Sequence, residues 1–267
     1  MSPGFVLSAE LSQRGDQITV QGEPTAETGL LSVAYGKRVL RETGDILSSP
    51  ARWERRAWLV FSLESAAVGA AFTLDRSIRN AAQRSRTQTT DDIAKIVEPF
   101  GAEYSLVILG GFYLTGLVLD DPKAQAVAQD GVAASLIASG LITSTLKEVV
   151  GRSRPSQGER VYHFQPFSGS HSFPSGHTTE AFVMASVLSA HYDSPSVKTI
   201  SYGLATLVGF ARIEHNAHFA SDVMAGALIG ASVGNATVHF NEKQESQISF
   251  RPWIDQNERG MIFTVRF

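Results

Sequence analysis

The sequence predicts an all-α fold, in which a bundle of six core helices lies in a membrane and a short β-hairpin follows at the C-terminus. Six stretches are rich in alanine, leucine and valine and have the length of a helix. They cover residues 58–74, 104–119, 131–146, 178–190, 199–211 and 223–240. After the last stretch, apolar and polar side chains alternate with period two, which is typical of strands.

The residues before the first apolar stretch form a leader with one short helix. Residues 1–29 are polar and mixed, and we expect no more than a short strand at 17–20. Apolar residues recur at helical spacing over 31–48, and a Ser-Ser-Pro pattern at the end of this segment is typical of the start of another helix. The leader therefore spans residues 1–50.

The predicted helical core spans residues 51–240, and the hairpin extension spans 241–267. Within the core, the polar segment 76–100 carries apolar residues at helical spacing, so we expect a surface helix there. Within the extension, the segments 247–250 and 260–267 alternate between apolar and polar residues, which predicts the two strands of the hairpin.

The character of the six apolar stretches favours a membrane over water. Gly226, Gly230 and Gly234 are spaced by four residues, and this pattern lets helices approach closely in lipid. Three arginines within residues 52–56 precede the first stretch, as expected for a cytoplasmic flank. The mean hydropathy of −0.02 is low for a protein with many spans. A soluble bundle with buried, alanine-rich helices is therefore the alternative.

Charge and cysteine content exclude several classes of function. The net charge is −3, so no basic surface indicates binding to nucleic acid. The chain has no cysteine, which excludes disulfides, thiolate metal sites and cysteine nucleophiles. The absence of cysteine is compatible with either redox environment. No oligomeric state is predicted.

Three clusters of basic, histidine and hydroxyl residues lie at the ends of the predicted core helices. They are Lys147 with Arg154-Pro155, then Pro174-Ser175-Gly176-His177, then Arg212 with His218 and Asp222. In a bundle whose helices alternate in direction, the end of one helix meets the start of the next. We therefore expect all three clusters to lie at one end of the bundle.

The basic residues of these clusters are suited to bind phosphate. Lys147 offers a point charge, whereas Arg154 and Arg212 offer the planar fork that matches phosphate oxygens. Ser175 and Gly176 precede a helix, whose first backbone N–H groups bind anions, and glycine permits close approach.

The two histidines supply the groups for phosphoryl transfer. Asp222 follows His218 by four residues, so its carboxylate can hold one ring nitrogen and leave the other free to attack. His177 is the candidate proton donor. Taken alone, Ser175 and Asp222 are ordinary helix caps, and a basic residue at a helix end is usually solvated. The joint spacing favours the catalytic interpretation.

Together the clusters resemble the three-part signature of the phosphatidic acid phosphatase type 2 superfamily. That superfamily includes lipid phosphate phosphatases, bacterial acid phosphatases and vanadium haloperoxidases, and the resemblance covers about residues 58–240. One position departs from the signature, because Ala211 stands where the family usually has serine before Arg212. The loss of this serine is expected to weaken phosphate binding rather than to abolish the chemistry.

The resemblance implies a phosphoric monoester hydrolase that needs no metal and no cofactor. His218 attacks phosphorus and forms a phosphohistidine, Asp222 orients His218, and His177 protonates the leaving oxygen and then activates water. The expected substrate is a lipid phosphate or diphosphate. The expected location is a bacterial-type cell membrane, with the active site on the extracytoplasmic side.

Three alternatives stay open. They are a soluble periplasmic acid phosphatase of broad specificity, a vanadium haloperoxidase, and a membrane protein that binds phosphate without turnover. The intact His177, His218 and Asp222 argue against the last of these. We further expect Arg152 to lie at the surface or behind the site, and His215 to make no contact with substrate.

Overall fold

The computed structural model of this chain describes residues 29–158, 160–254 and 259–265, with side chains up to Glu242. The strand predicted at 17–20 lies outside these residues. The described chain divides into two compact units. One unit, Val39–Val238, contains all the candidate site residues, and the other contains the described residues before and after it.

The described residues form eight helices, whereas six were predicted for the core. They are α1 (Val33–Ser48), α2 (Arg55–Ser85), α3 (Gln88–Val97), α4 (Glu103–Val118), α5 (Pro122–Val150), α6 (Gly176–His191), α7 (Pro195–Glu214) and α8 (Ala220–Gln247). Each apolar stretch lies within one of six helices or ends one residue beyond it. The other two are α1, which lies in the segment expected to form the leader helix, and α3, which covers only part of the surface helix expected at 76–100 because α2 continues to Ser85.

The second half of α2 docks onto one end of the bundle through polar side chains. Asp75, Arg79 and Gln83 are spaced by four residues and therefore share one face of the helix. Arg79 donates hydrogen bonds to the Pro155 carbonyl at 2.6 Å and to Asn216 Oδ1 at 3.0 Å. Gln83 donates to backbone carbonyls at the end of α7. These contacts explain why α2 has 31 residues and continues beyond its apolar stretch.

Helix α5 is also longer than its apolar stretch. It has 29 residues and includes a π-helical segment, Leu136–Thr143. It begins at Pro122, where the Asp121 side chain accepts hydrogen bonds from the next two backbone N–H groups of the helix. The first turns of α5 are polar, so apolar periodicity does not reveal this start.

Helices α5, α6 and α8 share one buried apolar cluster. Its members are Val127, Ala134, Ile137, Ala138, Val183, Val187, Val233 and Val238. Glycines on α8 face α6 at close range, because a Cβ added to Gly226 would lie 2.5 Å from the Ser175 carbonyl oxygen. This packing brings the first turns of α6 and α8 together.

Three helical segments are long and apolar enough to cross a membrane, judged by length and composition over the described chain. They are Arg55–Ser85, Pro122–Val150 and Ala220–Glu242. A pair consisting of Gln88–Gly101 and Glu103–Val118 bends by 49° and would count as a fourth span.

Two antiparallel strands follow α8. Strand β1 covers Ile248–Ile254 and strand β2 covers Arg259–Val265. The backbone register runs from Ile248 opposite Val265 to Ile254 opposite Arg259.

Candidate functional site

The candidate residues converge at one end of the unit Val39–Val238. Lys147 lies in the last turn of α5, and Arg212 lies in the last turn of α7. His177 lies in the first turn of α6, and Asp222 lies in the first turn of α8. The alternating directions of these helices therefore bring together residues from all three clusters.

Three cations gather around this site. Arg154 is half-buried, and its charge is close enough to repel the charges of both Lys147 and Arg212. The Lys147 ammonium donates a hydrogen bond to the His171 carbonyl at 2.8 Å. The backbone of Gly176 lies beside the Lys147 side chain, which would be 3.7 Å from an added Cβ. Mutually repelling cations at one place favour the binding of an anion.

The Arg212 guanidinium has one engaged edge and one vacant donor. The residue is only 6% exposed, and its Nη1 bonds to the Glu98 carboxylate. Its Nε is buried and has no hydrogen-bond partner among the residues that the structure describes. A buried donor without a partner is costly. The vacant N–H group is therefore available to an external anion.

Glu98 is a site residue that the sequence did not reveal. It begins the turn after α3, and its carboxylate contacts Arg212. The same carboxylate lies 2.5 Å from His215 Nδ1 and 3.8 Å from His177 Nε2. Glu98 thus adds a negative charge beside the predicted proton donor, and it gives His215 a partner.

The surroundings of His218 leave a lone pair on its Nε2. His218 Nδ1 lies 2.7 Å from the carbonyl oxygen of Ser172. A carbonyl only accepts hydrogen bonds, so Nδ1 carries the proton and Nε2 carries the lone pair in the neutral ring. Burial lowers the pKa of His218 below its ordinary value, although the charge of Asp222 opposes this shift. The ring is therefore neutral near pH 7.

Asp222 is linked to His218 through Ser172 and not by the direct hydrogen bond that was predicted. Its Oδ2 lies 3.7 Å from His218 Nδ1, which is too far for a hydrogen bond. The same oxygen accepts from the Ser172 hydroxyl at 2.6 Å and from the Phe219 N–H at 2.9 Å. Asp222 therefore fixes Ser172, whose carbonyl in turn holds the histidine ring. A carboxylate in the first turn of a helix is well placed to accept hydrogen bonds from backbone N–H groups at the start of that helix.

Ser175 serves mainly to join two helix starts. Its hydroxyl oxygen accepts hydrogen bonds from the side chain and the N–H of Thr178, so it caps α6. Its own N–H donates to the Asp222 carbonyl at 3.0 Å. The residue is completely buried. These contacts fix the first turn of α6, which carries His177, against α8.

Arg152 is buried behind the site, which is the second of the two positions expected for it; the surface position is excluded. It has no exposed surface and forms ion pairs with Asp222 at 2.6 Å and with Asp75 at 2.8 Å. Asp75 is likewise completely buried. The sequence offered one signal for Asp75, which is its position directly after an apolar stretch. A charged residue that is buried there needs a partner of opposite charge.

Comparison with known proteins places this arrangement in a wider group. Residues 131–246 match the family model of the PAP2 superfamily. The chain is 34% identical over 118 residues to a lipid A 1-phosphatase of Rhizobium johnstonii, a match that covers 41% of this chain and 48% of that protein. The chain thus spans about half the length of this curated relative.

Two solved structures are similar to the fold. The crystal structure of LpxE from Aquifex aeolicus has a TM-score of 0.50 and 26% identity, and the match covers 62% of this chain and 95% of that one. The transmembrane PAP2-type phosphatidylglycerolphosphate phosphatase of Bacillus subtilis has a TM-score of 0.53 and 25% identity, and the match covers 70% and 95% of the two chains. Both the fold and the apolar helices support a membrane location.

Proposed function

We propose that this chain, in which residues 131–246 belong to the PAP2 superfamily, is a phosphatase of lipid phosphates that works through a phosphohistidine intermediate. The observation that carries this proposal is that one site contains both a vacant, buried N–H group on Arg212 and a neutral histidine. The carbonyl of Ser172 holds the Nδ1 proton of that histidine, His218, so that Nε2 has the lone pair for attack.

In the first step, His218 Nε2 attacks phosphorus. A P–N bond forms, and the P–O bond to the lipid breaks with its electron pair on oxygen. Burial and the charge of Arg212 lower the pKa of His177 to about 4 before phosphate binds, and the negative charge of the bound phosphate raises it again, so that His177 takes up a proton from solvent. His177 gives this proton to that oxygen, which leaves as a hydroxyl group. Lys147, Arg154 and Arg212 stabilise the charge on the three remaining phosphate oxygens.

In the second step, water replaces the histidine. His177 accepts a proton from the water molecule as its oxygen attacks phosphorus, and the P–N bond breaks. Inorganic phosphate leaves, and His177 again carries a proton for the next cycle. The residues named here supply all the charge that these two steps need, so we expect the reaction to continue in the presence of a chelator.

An apolar cavity next to the site supports a lipid as the substrate. Its volume is about 950 Å³, and it lies between α2, α5 and α8. Its lining includes Val60, Phe61, Ile142, Leu146, Phe173 and Ile229. Two lining residues adjoin the site in the sequence, because Leu146 precedes Lys147 and Phe173 precedes the Pro-Ser-Gly-His segment, whereas the other end of the lining reaches Arg52 and Arg56 at the start of α2. A pocket with this lining suits a hydrocarbon chain.

We further propose that the site faces away from the cytoplasm. The three arginines within residues 52–56 lie at the start of α2, whereas Asp75 in its second half lies at the site. Cytoplasmic ends of spans are enriched in lysine and arginine. The start of α2 is therefore the cytoplasmic end of this span.

Release of phosphate from defined lipids tests the proposal. Purified protein in detergent with EDTA is given phosphatidate, lipid A, a polyprenyl diphosphate or p-nitrophenyl phosphate, and His218→Ala is measured in parallel. We expect EDTA-resistant release that His218→Ala lowers by at least about 1,000-fold. When the wild type is denatured during turnover, the protein should carry covalently bound phosphate that acid releases. His218→Ala should carry none.

The ranking of the four substrates separates the candidate activities. Faster release from lipids than from p-nitrophenyl phosphate supports a lipid phosphatase, and the reverse order supports an acid phosphatase of broad specificity. No release above the His218→Ala level from any substrate would overturn the proposed function.

A further inference from the structure

Arg152 is a buried cation whose donors are all engaged. A guanidinium has five N–H groups. Nε and one Nη2 hydrogen bond to the Val161 carbonyl at 3.2 and 2.9 Å. Nη1 bonds to Ser221 Oγ at 2.7 Å and to Asp222 Oδ1 at 2.6 Å, and the other Nη2 hydrogen bonds to Asp75 Oδ2 at 2.8 Å. No N–H group of Arg152 is left for a phosphate, so this arginine does not act as a substrate ligand.

Aromatic rings fix the plane of this guanidinium. Its central carbon lies 4.0 Å from the ring centre of Phe219 and 4.5 Å from that of Phe72. Phe164 adds a third ring at 5.7 Å. Stacking against rings restricts a side chain that otherwise has many rotamers. Arg152 therefore offers Asp222 a rigid partner.

Asp75 is the second anchor of the arrangement. Its Oδ1 accepts from the backbone N–H of Ser221 at 2.9 Å, and its Oδ2 accepts from the Ser221 hydroxyl at 2.6 Å. It therefore ties α2 to the first turn of α8, where Asp222 lies. The same Oδ2 also accepts from Arg152, which places Arg152 between two carboxylates.

The charges of this group leave one negative charge near the nucleophile. Asp75 and Asp222 carry two negative charges, and Arg152 carries one positive charge. All three residues are completely buried. A lone buried carboxylate would take up a proton, and the paired guanidinium keeps Asp222 ionised. The ionised carboxylate can then stabilise the positive charge that His218 gains during attack.

We propose that Arg152 and Asp75 are positioning residues of the hydrolysis. They hold the Asp222 carboxylate in place, and through Ser172 they keep the ring of His218 in the orientation for attack. This inference rests on the proposed function. It assigns roles to two residues that the sequence signature does not specify.

The Arg152→Gln variant tests the proposal through the split between kcat and KM. We expect kcat to fall by about 100-fold, because the nucleophile loses its orientation. The cations that bind phosphate remain, so we expect both the KM and the inhibition constant of inorganic phosphate to stay within about threefold of the wild type. A purely structural defect would instead reduce the fraction of active protein and leave the kcat of the folded fraction unchanged.

Conservative variants test whether the arrangement acts as a unit. Arg152→Lys keeps the positive charge but loses the planar, forked guanidinium. We expect its kcat to be at least about tenfold higher than that of Arg152→Gln. Asp75→Asn should also lower kcat at unchanged KM. The double variant Asp75→Asn with Arg152→Gln should be no slower than Arg152→Gln alone, since the two residues act on the same carboxylate.

Arg79→Gln is the matched control. Arg79 is also a partly buried arginine at this end of the bundle, but it bonds to the Pro155 carbonyl and Asn216 and makes no contact with Asp222. Its kcat should stay within about threefold of the wild type. The elution volume and the thermal unfolding of every variant show whether it is folded. If Arg152→Gln does not fold, the kcat and KM of Asp75→Asn and Arg152→Lys test the proposal instead.

The outcomes distinguish this inference from the proposed function. An active wild type with Arg152→Gln or Asp75→Asn at wild-type kcat would overturn the positioning role alone. A rise in KM at unchanged kcat would also overturn it, because it would make Arg152 a binding residue. An inactive wild type would overturn the proposed function itself.

Discussion

In the proposed reaction, the Glu98 carboxylate competes with the bound phosphate for Arg212. It bonds to Arg212 Nη1 and lies 2.5 Å from His215 Nδ1. A bound phosphate has to share the guanidinium with this anion, and the two negative charges repel each other. We therefore expect Glu98→Gln to lower the KM for a lipid phosphate by about three- to tenfold, as measured from initial rates in detergent.

Asp92→Asn is the control for this prediction. Asp92 is an exposed carboxylate on α3, where it pairs with Lys95 at 3.5 Å, and its removal should leave KM unchanged. A higher KM in Glu98→Gln would instead mean that this carboxylate holds Arg212 in place for the phosphate.

Spacing along the sequence predicts which residues converge, but it does not predict their partners. Lys147, His177 and Arg212 all lie within a turn of a helix end, and alternating helix directions bring such ends together. Glu98 and Asp75 bond to arginines that lie 114 and 77 residues further along the chain. Such contacts depend on how helices pack, and this packing leaves no local period in the sequence.

At the scale of elements, close packing of α6 on α8 holds His177 and Asp222 in register. A Cβ added to Gly230 would overlap the carbonyl oxygen of Thr179 on α6. We expect Gly230→Ala to push the two helices apart and to lower the free energy of unfolding by about 1–3 kcal/mol. Thermal unfolding in detergent measures the loss of stability, and initial rates should show a lower kcat.

Gly203→Ala is the matched control on a neighbouring helix. An added Cβ at Gly203 meets no atom within 4 Å, and alanine favours a helix more than glycine does. Its melting temperature should therefore equal or exceed that of the wild type. Equal melting temperatures for Gly230→Ala and Gly203→Ala would contradict the close approach of α6 and α8.

Apolar periodicity predicts that the core helices exist, but it misses two of their ends. The second half of α2 is polar because its side chains bond to the loops at the site, as Arg79 does with Pro155. The first turns of α5 are polar and depend on the cap that Asp121 provides. Both ends are stabilised by specific hydrogen bonds rather than by a buried apolar face. Apolar periodicity therefore does not extend to these ends of the helices.

At the scale of the whole molecule, the two ends of the bundle differ in function. One end carries the site, and the loop between α6 and α7 lies at the opposite end, because α6 starts at the site and runs away from it. A helix of 16 residues is about 24 Å long. The two ends therefore reach different sides of a membrane if α6 lies across it.

Labelling of introduced cysteines tests which end faces the cytoplasm. The chain has no cysteine of its own. Ser168→Cys lies in the exposed loop at the site, and Ser196→Cys is exposed at the start of α7, at the opposite end. In intact spheroplasts, a maleimide that cannot cross membranes should label Ser168→Cys and should label Ser196→Cys only after permeabilisation. Both variants should be labelled in detergent and should release phosphate like the wild type. Labelling of Ser196→Cys alone in intact spheroplasts would place the site on the cytoplasmic side, and the arginines before α2 would then mark the outer end of that span.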